Sequence, residues 1–211
     1  MAVGKNTLVV LNPVIKMIIG EHNYEKTIEM IINKSWLAAD VSPGKEAVKK
    51  DYKALFYKPG RPIIDSRCPA IIELVKQNFP HLDKSLAPIN PILVTGARIR
   101  KKELEDSGYD IVKVIAATPC SDFCRNNHRW PDLEMITWKD FQKKVLGVSF
   151  PRNELKESPV PLGFFNDLGV KVYSASGEEN CRCLLSDIPP DAKLLELLWC
   201  KGGCHKGDGL Y

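Results

Sequence analysis

Short runs of β-favouring apolar residues in this chain stop at a proline or a cysteine, and residues at helical spacing often follow. "TLVVLN" (Thr7 to Asn12) halts at Pro13, ahead of "VIKMIIGEHNYEKTIEMIINKSW", whose apolar residues recur on one helical face. "PIIDS" precedes Cys68, and Pro69 suits the first turn of a helix carrying Ile71, Leu74, Val75 and Phe79. "IVKVIAAT" runs into Pro119 and Cys120, "VKVYSA" covers Val170 to Ala175, and "LLELLW" runs into Cys200. Helices are expected at Pro91 to Glu105 and Thr137 to Leu146, and a Pro-rich, charged loop at Ser149 to Pro161. Strands alternating with helices predict an α/β fold with mostly parallel sheets flanked by helices.

A chain of 211 residues can bury its core as one domain or two small lobes without staples. The formal charge of +4 is dispersed, which gives no basic stripe for nucleic acid. No run reaches the roughly 20 apolar residues of a membrane span, and the first residues lack a signal-peptide pattern, so the expectation is a cytoplasmic protein without membrane insertion. Seven cysteines are many for such a compartment, where disulfides are rare, and they point to metal or redox use.

Three cysteine positions, Cys68, Cys120 and the pair Cys200/Cys204, follow predicted strands. The carboxyl ends of strands are where α/β sheets collect ligands, so distant cysteines can meet there. Four thiolates suit tetrahedral zinc or an iron–sulfur cluster. Zinc favours two close pairs, whereas Cys68 and Cys120 stand alone, a dispersion that suits the larger cluster. Gly202 and Gly203 between Cys200 and Cys204, together with the helix starting at Pro69, are expected to bring backbone N–H groups to the sulfurs.

"DSRCPAIIELVKQNFPHLDKSLAPINPILVTGARIRK", "ATPCSDFC" and "ELLWCKGGCHKG" resemble, in order, the three signature segments of the C-terminal domain of iron-only hydrogenase large subunits. These segments are T-S-C-C-P, M-P-C-x-x-K and E-x-M-x-C-x-x-G-C-x-x-G, and "LNPVIKMIIGE" resembles the family's early strand and helix. The resemblance covers most of residues 7 to 208 and implies a single two-lobed domain over 1–211, with the cluster in the cleft and no N-terminal ferredoxin-like domain. It implies that Cys68, Cys120, Cys200 and Cys204 hold a [4Fe–4S] cube, with Glu196 in the acidic place before Cys200.

Departures from the family pattern concern its second, di-iron unit. Arg67 stands where the proton-donating thiol is expected, and Phe123 where a lysine would hold a cyanide ligand. Thr118 and Leu198 replace two methionines, Lys45 replaces a glutamate of the proton route, and the pocket-closing segment is shortened to about "ESPVPLGFF". An always-charged arginine cannot relay protons as a thiol does.

The expectation is therefore a cluster-binding, hydrogenase-like protein without the di-iron unit, working in electron transfer, redox sensing or partner docking. Its setting would be an anaerobe, and its partner a redox protein or another hydrogenase-type subunit. A minimal hydrogenase and a zinc-bound or metal-free interaction module are the alternatives. Arg67 and Phe123 are expected to fill the di-iron space, with the Arg67 cation beside the cube. Cys124, Cys181 and Cys183 fall outside the ligand positions. His205 is read as a surface histidine, with donation to a cluster sulfur as the alternative.

Overall fold

In the computed structural model, which describes residues 5–56 and 62–210, the chain forms two parallel sheets. The first has the order β2-β1-β4-β5, built from β1 (Lys5–Leu11), β2 (Leu37–Asp40), β4 (Asp110–Thr118) and β5 (Glu134–Thr137). The second has the order β3-β7-β6, from β3 (Ile63–Ile64), β6 (Val172–Ser176) and β7 (Leu194–Leu198). Every strand pairing is parallel, as the βα alternation predicts.

Sheet one is covered on both faces, which explains why β1 reads as a continuous apolar run. Val9 and Leu11 pack with α1 (Pro13–Ile32) through Val14, Ile15 and Ile18, while Leu8 and Val10 pack with α4 (Ile92–Asp106) through Leu93, Val94 and Ala97. In sheet two, Ile64, Leu195 and Leu197 pack with α3 (Pro69–Asn78) and α7 (Glu178–Ser186), and Leu194 with Val48 and Tyr52 of α2 (Ser42–Leu55) and with Phe164 and Phe165.

Two expected elements change form. The first helix breaks at Gly20, whose φ of 77° lies outside the helical region. The segment Thr137 to Leu146 becomes a short turn, α6 (Trp138–Asp140), capped by the Thr137 hydroxyl, followed by a π-helical turn over Phe141–Val145. The loop expected after Ser149 is present, with no strand or helix before Pro161.

Helices α2 and α4 cross almost backbone to backbone. A Cβ on Gly44 would lie 2.4 Å from the Ile92 carbonyl oxygen, and one on Gly96 would lie 2.6 Å from that of Val41. Gly96→Ala is expected to cost about 1–3 kcal/mol through overpacking, read as a lower denaturant midpoint.

Candidate metal centre

Parallel strands bring their carboxyl ends together, and the two sheets meet over a cavity of about 430 Å³. Cys68 follows β3, Cys120 follows β4, and Cys200 with Cys204 follows β7; all four line this cavity. So do the first residues of three helices: Pro13 and Val14 of α1, Pro69 and Ala70 of α3, and Ile92 and Leu93 of α4. Pro13 and Pro69 have no N–H and the Val14 N–H is taken by the Asn12 side chain, so it is chiefly the aligned peptide dipoles that make such a convergence hospitable to negative charge.

Cys68 is the N-cap of α3, and the backbone N–H groups of Trp199, Ile71 and Ala70 are directed at its sulfur. Burial raises the Cys68 thiol's pKa, and these donors offset part of the rise. Burial likewise raises Cys120, pushes Cys200 up to about 11 and pushes Cys204 up to about 12, with the Cys68 charge adding to each. Cys68 thus acts on each of the other three as a like charge, and bound cations would relieve that repulsion.

Among the described residues no three His, Cys, Asp or Glu side chains are grouped to hold a single metal ion. The cysteines surround a space instead of meeting at one point, so this donor set fits a polynuclear iron–sulfur group better than one zinc ion. All seven cysteines are free thiols.

The expected neighbours divide into wall and support. Arg67, Phe123 and Leu198 line the cavity. Phe123 is buried and packs on Trp130 with ring centroids 5.3 Å apart. Thr118 lies below the wall, fully buried, and its hydroxyl accepts the Cys120 N–H at 3.3 Å.

Gly202 and Gly203 also stand behind the wall, and their N–H groups are taken by the Ser176 hydroxyl and the Cys200 carbonyl. The donors expected from this hook come instead from α3 and Trp199. At Gly203 the close approach is to the strap over the cavity, since a Cβ there would lie 2.6 Å from the Ser158 Cβ. Gly207, overlooked in the sequence, lets the final turn sit on the Cys120 loop: its Cβ would lie 2.2 Å from the Pro119 carbonyl oxygen.

Arg67 is not a lone cation. Its Nε donates to both Asp65 oxygens at 3.0 and 2.9 Å, its Nη2 reaches Asp65 at 2.7 Å and Glu196 at 2.9 Å, and its Cζ lies 4.3 Å from each of the Phe164 and Phe165 ring centroids. Glu196 also accepts the N–H groups of Gly163 and Phe164 and the Ser174 hydroxyl, while Asp65 accepts the Tyr52 hydroxyl. Two carboxylates share one guanidinium, so the buried group is formally anionic.

His205 corrects another expectation. It is 5% exposed and so not a surface residue, and it lies outside the lining of the cysteine cavity. Cys124 and Cys181 are half-buried and buried, Cys183 is exposed, and none lines the cavity.

No helix among the described residues is long and apolar enough to cross a membrane. A search of curated proteins by sequence finds no match. Residues 31–123 match the family described as iron only hydrogenase large subunit, C-terminal domain.

Solved [FeFe]-hydrogenases contain the fold of this chain within their own longer ones. A variant of HydA1 from Chlamydomonas reinhardtii superposes with a TM-score of 0.69 at 15% identity, over 99% of this chain and 80% of that one. The structure of HydA(deltaEFG), which reveals stepwise H-cluster assembly, gives a TM-score of 0.66 at 15% identity, over 99% and 80%. A hydrogenase structure concerned with oxygen inactivation and degradation of the 2Fe subcluster gives 0.67 at 14%, over 99% and 81%. The chain is therefore hydrogenase-like, with the [FeFe]-hydrogenase fold along nearly its whole length and the match to the iron-only hydrogenase family in residues 31–123.

Proposed function

We propose that this protein holds one [4Fe–4S] cluster on Cys68, Cys120, Cys200 and Cys204 and uses it to pass or sense single electrons, without the di-iron unit of a hydrogenase. The observation that carries the reading is the convergence of four cysteines from two sheets on one cavity entered by three helix starts. A bound cluster would supply one-electron redox chemistry, with its potential tuned by surrounding charge and N–H donors. The chain's own contribution is to hold the sulfurs apart, direct N–H groups at Cys68 and cover the site with apolar wall residues.

Arg67 and Phe123 argue against hydrogen chemistry. The Asp65 and Glu196 carboxylates raise the Arg67 pKa despite burial, so this residue neither gives nor takes a proton at working pH. A polar path does run from the exposed Ser174 hydroxyl through Glu196 to Arg67 at the cavity wall, but it ends on a group that stays charged. Phe123 adds a ring where an approaching cofactor would need a polar hold. The reading places the chain in a reducing, anaerobic cytoplasm, with a redox protein or another hydrogenase-type polypeptide as partner.

Anaerobic reconstitution should give a brown protein with iron and sulfide in the one-to-one ratio of a cube and an EPR signal on reduction. Serine at any of the four cavity cysteines should lower cluster occupancy, whereas Cys183→Ser should not. A colourless protein loaded with zinc would overturn the reading. After exposure to competent hydrogenase assembly factors, the infrared spectrum should lack bands of iron-bound carbonyl and cyanide; their presence would restore hydrogenase chemistry.

Arg67→Met leaves Asp65 and Glu196 buried without their cation. It should destabilise the metal-free chain by about 3–5 kcal/mol, read by urea unfolding.

A further inference from the structure

Three of the four cavity cysteines follow strands of the second sheet, whereas Cys120 follows β4 of the first. A site shared in this way is only as well defined as the contact between its two carriers. The segment after Cys204 makes such a contact: it leaves the second sheet and seats on the first. Leu210 is fully buried in the cluster that packs β1 against α1, and the Gly209 N–H donates to the Pro119 carbonyl at 2.9 Å. A Cβ on Gly209 would lie 2.9 Å from the Pro119 carbonyl carbon, so backbone lies on backbone directly before Cys120.

Asp208 stands at the centre of this seat and lines the cysteine cavity. Its carboxylate accepts both donors of Ser121, the backbone N–H at 2.9 Å on Oδ1 and the hydroxyl on Oδ2. The Ser121 hydroxyl in turn accepts from the Arg125 Nη1 at 2.9 Å, so a cation backs the chain of bonds, and hydrogen bonds to ionised groups are the stronger kind. Ser121 directly follows Cys120, and Asp208 follows Cys204 by one turn, closed by the Gly207 N–H on the Cys204 carbonyl at 3.0 Å. Two ligand-bearing turns from different sheets thus meet through one carboxylate. The family signature ends at Gly207, so the resemblance assigns Asp208 no part.

We propose that Asp208 is a positioning residue: it holds the Cys120 loop on the Cys204 turn and fixes the span between these two sulfurs before any metal is bound. Its effect on a cluster rests on the four-cysteine reading, whereas its effect on the span does not. Metal sites depend on the groups that orient their ligands, and losing such a group commonly weakens metal retention by about 10–100-fold. Asp208 and Arg125 are exposed, so the carboxylate contributes little to overall stability while it sets local geometry.

The test compares the full wild-type chain with Asp208→Asn and Asp208→Ala, all prepared anaerobically. The metal-free chains are treated with dibromobimane, a reagent that joins two neighbouring thiols, and the products are located by peptide mapping. The wild type is expected to give the Cys120–Cys204 cross-link, and Asp208→Ala about tenfold less of it, as the effective concentration of one thiol at the other falls. Asp208→Asn, whose amide oxygen still accepts the Ser121 N–H, should recover much of the yield. In the reconstituted chains Asp208→Ala should release iron to a chelator about tenfold faster and show an altered EPR line shape, while the urea midpoint of the metal-free chain stays unchanged. If Asp208→Ala does not fold, Asp208→Asn and Ser121→Ala carry the comparison. A wild type without the cross-link, equal yields in wild type and Asp208→Ala, or equal iron release from the cluster-bearing chains would overturn the proposal. A wild type that takes up no iron, with the difference in cross-link still present, would overturn the cluster reading and support the positioning role.

Discussion

The buried contact of one guanidinium with two carboxylates organises the sheet that carries three of the four cysteines. Arg67 lies directly before Cys68, Asp65 precedes it, and Glu196 sits in the middle of β7. Through Tyr52, Ser174 and the N–H groups of Gly163 and Phe164, the same group also fixes α2, β6 and the segment over the cavity. Removing such charges from water is expensive, and full hydrogen bonding with aromatic rings on the cation is what makes the arrangement tolerable. Cys68 is positioned by this network as much as by its strand.

The sequence made the cysteine-bearing strands legible because parallel strands buried on both faces read as apolar runs, and all three positions do lie at strand ends. Resemblance to a known family then supplied the expected fold and the grouping of the four cysteines. Other elements were hidden for physical reasons. β2 is four residues long and owes its form to pairing with β1. α2 opens on Ser-Pro-Gly and is largely polar, and its form becomes intelligible only when Gly44 is seen against Gly96. α7 is nine residues long and opens on two glutamates, and its inward side carries only Cys181 and Leu185, so no apolar stripe marks it in the sequence.

Within the site, residue identity was legible but neighbourhood was not. Arg67 was visible as a cation beside a cysteine, while its counter-charge from Glu196 lies 129 residues away. A signal was present all the same: a glutamate flanked by leucines in "LLELL" must find a partner when its strand is buried. Gly203 of the hook was conspicuous for the right reason, close approach, but its neighbour is Ser158 rather than a sulfur, while Gly202 serves a positive φ of 82°.

The lengths of the strands behind the cysteines have a dynamic consequence. Cys120 follows a nine-residue strand paired on both sides, and Cys200 a five-residue strand in the middle of its sheet. Cys68 follows a two-residue strand paired with β7 and bridged by Ile64 to Leu86, so few ladder bonds hold its backbone, and the rest of the tether comes from the first turn of α3 and the Arg67 network. Opening fluctuations are drawn from the least cross-connected backbone. Of the three cysteine-bearing strands, β3 is therefore the one in which the fewest ladder bonds need to break before a cysteine loosens.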